Sequence, residues 1–311
     1  MKRDKRPVDG VLLLDKPVGV SSNGALQHVK RLYRAAKAGH TGNLDPIASG
    51  LLPICFGEAT KFSQYLTDAD KRYRAQIRLG QTTDTGDAEG RLLATHPVRV
   101  NLQALQAVLR QFVGEIEQVP PMHSALKHQG RPLYHYARKG VEVERMPRRI
   151  TIFELTLLGF DGHSLFEVDV HCSKGTYIRV LAEDIGRVLG CGAHMAALRR
   201  TGVDGFTIER SIALDRLDAM SDAERDRQLL PADVLVAHLP RIDLDADGAF
   251  YFRRGQGLWM PRLQVSQEYR IYDEKQQFIG VGRGDRDGRL APRRLVAQRH
   301  ECRLEFAGKT L

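Results

Sequence analysis

The chain has 311 residues, enough for roughly two domains of about 150 residues each. With 42% hydrophobic and 27% charged residues it reads as globular, which excludes disordered, collagen-like and coiled-coil classes. Its 47 Lys and Arg outnumber 38 Asp and Glu, giving a net charge of +9, which points toward a polyanionic partner. The longest apolar run, Leu51 to Phe56, is interrupted by Pro53 and is far short of the roughly 18 residues of a membrane span. Val11 to Leu14 meets Asp15 and Lys16 too soon to be a secretory signal. Cys55, Cys172, Cys191 and Cys302 form no close pair and no ligand spacing, so reduced thiols in a cytoplasmic protein are expected.

Gly10 to Leu14 reads as a buried strand. Ser21 or Ser22 then caps a helix carrying Leu26, Val29, Tyr33 and Ala36 on one face, with Gly39 as its end. Gly39 to Pro46 is a loop and Glu58 to Leu66 a helix. Tyr73, Ala75, Ile77 and Leu79 alternate with Arg72, Arg74, Gln76 and Arg78, which predicts a half-buried strand with a basic outer face. Thr82 to Gly90 is a polar turn. Asn101 caps a helix with Leu102, Leu105, Leu109 and Phe112, closed by Gly114, and Gln118 to Leu133 is a long loop. Phe166, Val168, Val170 and Cys172 predict a strand; Ile178, Leu181, Ile185 and Val188 predict a helix. Strands and helices mix without a βαβ rhythm, so the class is α+β. Near Pro240 the texture changes to short apolar pieces, Phe250 to Phe252 among them, separated by glycines. That pattern suits a small all-β appendage. The expected division is 1–240 and 241–311.

The basic residues are clustered. Lys30, Arg31, Arg34 and Lys37 precede the glycine-rich loop; residues 131 to 149 and 283 to 303 form two further clusters. Nucleic acid is the commonest partner of such a surface. Aromatics at 7% do not suggest a broad stacking platform. Gly308-Lys309-Thr310 imitates a phosphate loop, but its first glycine would fall on Arg303. Asp84-Thr85-Gly86 imitates an aspartic-protease triplet, but Gln81, Thr82 and Thr83 precede it where a buried catalytic strand should be apolar, so a polar turn is the reading. No two histidines have zinc-helix spacing. In Gly39-His-Thr-Gly-Asn-Leu-Asp-Pro46, Asp45 has no sequence-near acid and a basic approach. It is expected to stay ionised, with arginine lowering its pKa, and to suit nucleophilic attack or proton abstraction. The plain alternative is an Asx turn before Pro46.

Gly10-Val-Leu-Leu-Leu-Asp-Lys-Pro17 with Gly19, Ser21 and Ser22 resembles the opening motif of the TruB family of pseudouridine synthases. Gly39 to Pro53 with Gly57-Glu-Ala-Thr-Lys61 resembles its catalytic segment. Lys71-Arg-Tyr73, Thr83 to Asp87, Gln118-Val-Pro-Pro with Ser124 to Lys127, Cys172 to Arg179 and Gly190 to Arg200 follow in the family's order. Phe278 to Val281 and Ala291 to Val296 resemble a PUA-like RNA-binding domain; residues 205 to 250 match little. The resemblance implies a mixed-sheet catalytic domain followed by a small all-β PUA-like domain. It implies a cofactor-free, metal-free isomerisation of uridine 55 in the T arm of tRNA, with no membrane and no obligate protein partner. It makes Asp45 the nucleophile and Arg179 its salt-bridge partner, against an ordinary helix pair with Glu183. Tyr73 would stack on the extruded base and help the proton leave carbon, against plain strand packing. Tyr177 and Leu198 would wall the base pocket, His40 would fill the vacated stack, and Lys16 and Pro17 would support the pocket. Two other readings share the scaffold: a non-catalytic RNA-binding or tRNA-folding protein, and a synthase directed at another RNA, alone or in a guide-RNA particle.

Overall fold

The computed structural model describes residues 5–297, so Gly308-Lys309-Thr310, Cys302 and the end of the third basic cluster lie outside the described residues. Gly10–Lys16 (β1) is apolar on both faces because it lies inside a sheet, between Ala48–Phe56 (β2) and Ile212–Ala213 (β8). Ser21 then caps Ser22–Leu32 (α1), its side chain accepting the Gly24 N–H. This helix ends at Leu32 rather than at Gly39. Arg34 turns the chain with φ +50°, and Ala38–His40 continues as a short strand on β2. β2 itself, buried along most of its length, passes through Pro53, a residue that argues against a central strand when only the sequence is read.

Lys71–Leu79 (β3) buries Tyr73, Ala75, Ile77 and Leu79 as the alternation predicts. Two of its outward arginines are paired across strands: Arg72 with Glu154 and Asp169, and Arg74 with Glu167. That face therefore holds the sheet together as well as carrying charge. Asn101 caps Leu102–Gln111 (α2) through the Ala104 N–H, and Gly114–Gln118 (β4) follows. Arg148–Phe160 (β5), Leu165–Cys172 (β6), the helix Ile178–Val188 (α3) and Ala193–Val203 (β7) complete the first unit. The sheet has ten strands with the main order β8-β1-β2-β7-β3-β6-β5-β4. β1/β8 and β2/β7 are parallel and the other main-order pairs antiparallel, a mixed α+β sheet. Its core packs the sheet against Ala25 and Val29 of α1, Leu105 of α2, and Leu181 and Ile185 of α3. Each large apolar side chain so buried contributes about 1.5 to 3 kcal/mol.

The described residues form two compact units, one up to Leu230 and one from Pro231. The stretch 231–240, grouped with the first domain by sequence, packs with the second. Leu235 and Val236 are fully buried, and Asp233 accepts the Tyr272 phenol at 2.6 Å. The second unit carries Arg241–Asp243 (β9), Leu258–Trp259 (β10), Glu268–Tyr272 (β11), Phe278–Gly284 (β12) and Arg289–Leu295 (β13), in the order β9-β11-β12-β13-β10. Phe250 to Phe252 is not a strand piece: it belongs to the helix Ala246–Arg253 (α4), capped by Asp245. Phe252 plugs the sheet with Ile271, Ile279 and Leu290. No helix among the described residues is long and apolar enough to cross a membrane.

Candidate active site

Asp45 lies in the loop between Ala38–His40 and β2, and backbone bonds on both sides pin that loop. The buried Ser22 hydroxyl, at the start of α1, donates to the Leu44 carbonyl at 3.0 Å and accepts the Leu44 N–H at 2.7 Å. Gly19 N–H donates to the Pro46 carbonyl at 2.8 Å, and Ala48 N–H to the Asp45 carbonyl at 3.0 Å. From β7, Arg200 reaches the carbonyls of Leu51 at 2.7 Å and of Gly42 and Asn43 at 3.4 Å. The backbone that carries Asp45 is thus held on both sides by a serine hydroxyl, peptide groups and one guanidinium.

Arg179, in the first turn of α3, faces that acid. Its Nη2 stands 3.1 Å from the Asp45 carboxylate and its Nη1 3.5 Å from Asp87. The same guanidinium donates to the carbonyls of Thr85 at 3.1 Å and His123 at 2.7 Å. Arg179 and Asp87 are buried, whereas Asp45 keeps 42% of its side-chain surface open. That exposure is what lets a substrate reach the carboxylate. The ordinary Arg179–Glu183 helix pair does not account for this arginine, which is turned to Asp45 and Asp87.

Contrary to expectation, Asp45 is not isolated from other acids and its carboxyl is held above the usual aspartate value. Burial is the main cause; Arg179 opposes it, and Asp87 adds to it. One arginine shared between two carboxylates does not outweigh desolvation. Glu89 is raised too, by burial and then by Asp87 and Asp45.

Of the other candidate residues, Lys16, Tyr73 and Tyr177 lie within the field of Asp45. Tyr73, in the middle of the sheet, is buried; desolvation raises its phenol and the charge of Arg200 opposes that. Lys16 ends β1 fully buried, its ammonium donating to the carbonyls of Pro17 at 2.8 Å and Val20 at 2.6 Å. Burial lowers it to about 8, against the attraction of Asp45. Pro17 is exposed and enters only through its carbonyl. His40 is half-buried, its Nδ1 buried without a hydrogen-bond partner, and burial and then Arg200 lower its pKa. Tyr177 caps α3 and exchanges two bonds with the Gln118 amide, at 3.0 and 3.3 Å. Burial raises its phenol, and Arg179 and Asp45 both act on it. Leu198 of β7 stands beside Ala48 and Ala75 and packs on the core.

Sequence reading did not single out Ser22 as the loop's clasp, Asp87 as the second carboxylate, His123 as the carbonyl that accepts from Arg179, or Arg200. All four lie in or beside the family-like motifs, but their contacts bridge distant segments. Among the described residues no group of three or more His, Cys, Asp or Glu is placed to hold a metal ion.

An open carboxylate on a buried arginine, next to a buried phenol, can attack an electrophilic carbon while a second group handles a proton. Residues 30–178 match the model of the TruB family pseudouridylate synthase N-terminal domain. Residues 179–237 and 240–296 match two further TruB C-terminal models. A relative from Methylobacillus flagellatus named tRNA pseudouridine synthase B is 57% identical over 300 residues, covering 96% of this chain and 99% of that protein. The chain belongs to the TruB family of pseudouridylate synthases. TruB relatives of the same name from Thiobacillus denitrificans, 55% identical, and Vibrio vulnificus, 52% identical, each cover 96% of this chain and 99% of their own. Among solved structures, a Cbf5–Nop10–Gar1 complex matches with TM-score 0.68 and 27% identity over 93% of this chain and 84% of that one. An H/ACA ribonucleoprotein bound to a substrate RNA containing 2′-deoxyuridine has TM-score 0.71 at 24% identity, covering 93% and 86%; it shows the shared fold.

Proposed function

We propose that this chain converts uridine 55 in the T loop of tRNA to pseudouridine. The observation that carries this reading is the Asp45 carboxylate, open to solvent and held at 3.1 Å by the buried Arg179, in a chain whose curated relatives are named for tRNA. The base leaves its stack to reach the site, as it does for other enzymes that modify bases. Asp45 is the nucleophile. The bond from N1 to C1′ breaks, C5 bonds to C1′, the C5 proton leaves and N1 gains one, so the reaction is an isomerisation needing no oxidant and no nucleotide.

Tyr73 stacks on the base and handles the proton on carbon. Tyr177 and Leu198 wall the pocket, His40 occupies the place the base vacates, and Lys16 and Pro17 support the floor. The basic clusters hold stem phosphates, and residues 241–311 add RNA contacts as a PUA-like domain. The T-arm stem-loop is the partner, in the cytoplasm, with no protein subunit required. A test is to incubate the purified chain with an unmodified tRNA transcript and map pseudouridine along it. Pseudouridine at position 55 supports the reading; an unchanged transcript, or modification elsewhere only, refutes it.

A further inference from the structure

Four residues lie in one row across the sheet. Lys16 of β1 stands opposite Gly50 of β2, Gly50 opposite Arg200 of β7, and Arg200 opposite Tyr73 of β3. Neighbours in such a row project to the same face. Arg200 is 1% exposed, and among the described residues it forms no ion pair. Its hydrogen-bond acceptors are three backbone carbonyls, those of Gly42, Asn43 and Leu51, and the Tyr73 side chain is its neighbour across the β7–β3 pair. Its positive field also lowers Lys16, His40 and Lys71. A buried guanidinium with no anion is costly to keep, and RNA phosphates cannot reach one so enclosed. Of these four groups, the three carbonyls and the phenol, only the phenol can become an anion.

We propose that Arg200 is a positioning residue for the reaction, holding the Tyr73 phenol and the Asp45 loop with one guanidinium and serving as counter-charge when the phenol oxygen turns negative. This rests on the reading of Tyr73 as a group that touches the base. The titratable and charged groups facing the phenol are Arg200 from β7, Cys172 from β6 and Asp45 from its loop. Burial pushes the Cys172 thiol up to about 12, so it is neutral. Asp45 opposes a negative phenol, which leaves Arg200 as its stabiliser.

The test places difluorotyrosine at position 73 of the full chain, bringing the phenol into an accessible pH range, and follows its ionisation by absorbance and fluorine resonance. In the Arg200→Gln background ionisation should move about 1 to 3 pH units higher, as expected on losing an adjacent opposite charge. Arg200→Lys should recover part of the shift. Tritium release from C5 of the target uridine in a T-arm stem-loop should slow in the same order. Unmoved ionisation, even with slower release, overturns the proposal, because a mere structural clamp predicts that result. If neither variant folds by circular dichroism, the Arg200 Nη–H resonances of the parent and Tyr73→Phe are compared; unchanged resonances overturn it and shifted ones support it. If Tyr73→Phe releases tritium at the parent rate, the reading of Tyr73 fails, separately from the titration result.

Discussion

Arg179 stands 3.1 Å from Asp45 with 7% of its side-chain surface exposed, against 42% for Asp45. The cation is sealed inside the protein while the anion it holds faces outward. The arginine therefore orients the carboxylate without competing for the space a base would take.

Arg179→Lys keeps the charge but loses the planar fork that spans Asp45, Asp87 and the carbonyls of Thr85 and His123. Turnover of bound substrate should fall about 10²-fold or more, the scale of a misplaced reacting group, with T-arm affinity little changed. Single-turnover rates and a binding isotherm on the same variant check this. Parent-like turnover would remove Arg179 from the account.

The raised Asp45 carboxyl has a sign that stability measurements can read. The folded chain binds this proton more tightly than the unfolded chain does. Stability is therefore lost as pH rises from the ordinary aspartate value of 3.8 through the raised folded one. Asn carries no charge, and Asp87 still faces Arg179. Asp45→Asn should melt above the parent at pH 7, and the gap should close as pH falls below about 4. Melts of both proteins across that range decide it; a less stable variant at pH 7 contradicts the burial argument.

Tyr73 separates two readings by substitution. Phe keeps a ring against the base and removes the phenol, so binding should hold and turnover should fall about 10²- to 10⁴-fold. Leu should also weaken binding, since stacking contributes about 1 to 3 kcal/mol per base. Folded variants that both turn over like the parent would leave Tyr73 as sheet packing alone.

Gly50 allows the row from Lys16 to Tyr73 to close. It has φ +105°, and a Cβ there would lie 2.3 Å from the Arg200 carbonyl oxygen and 2.7 Å from its amide nitrogen. Gly50→Ala should destabilise the chain by about 1 to 3 kcal/mol through backbone strain, and lower turnover by shifting Arg200. Denaturant unfolding checks the first effect; unchanged stability would contradict the close approach.

Local patterns in the sequence carried much of this architecture. The alternation from Tyr73 to Leu79 and the caps at Ser21 and Asn101 depend on neighbouring residues, and each appears where its pattern predicts. β2 was hidden by Pro53. α4 was hidden because Phe250 and Tyr251 are exposed beside the buried Phe252, which blurs a helical period. Asp45, Arg179 and Tyr73 were nameable through ordered motifs. The second carboxylate at Asp87, and Arg200 as a bridge to the Asp45 loop, were not, since both arise only when distant strands and loops converge.

The most direct measurement compares the parent with Asp45→Asn in single-turnover conversion of uridine 55 in a T-arm stem-loop, at saturating protein. The amide is nearly isosteric but a poor nucleophile, and phosphate contacts come from other residues. The account predicts full conversion by the parent, no detectable pseudouridine from the variant, and similar affinity for both. Substantial conversion by a verified, uncontaminated Asn variant would contradict Asp45 as the nucleophile.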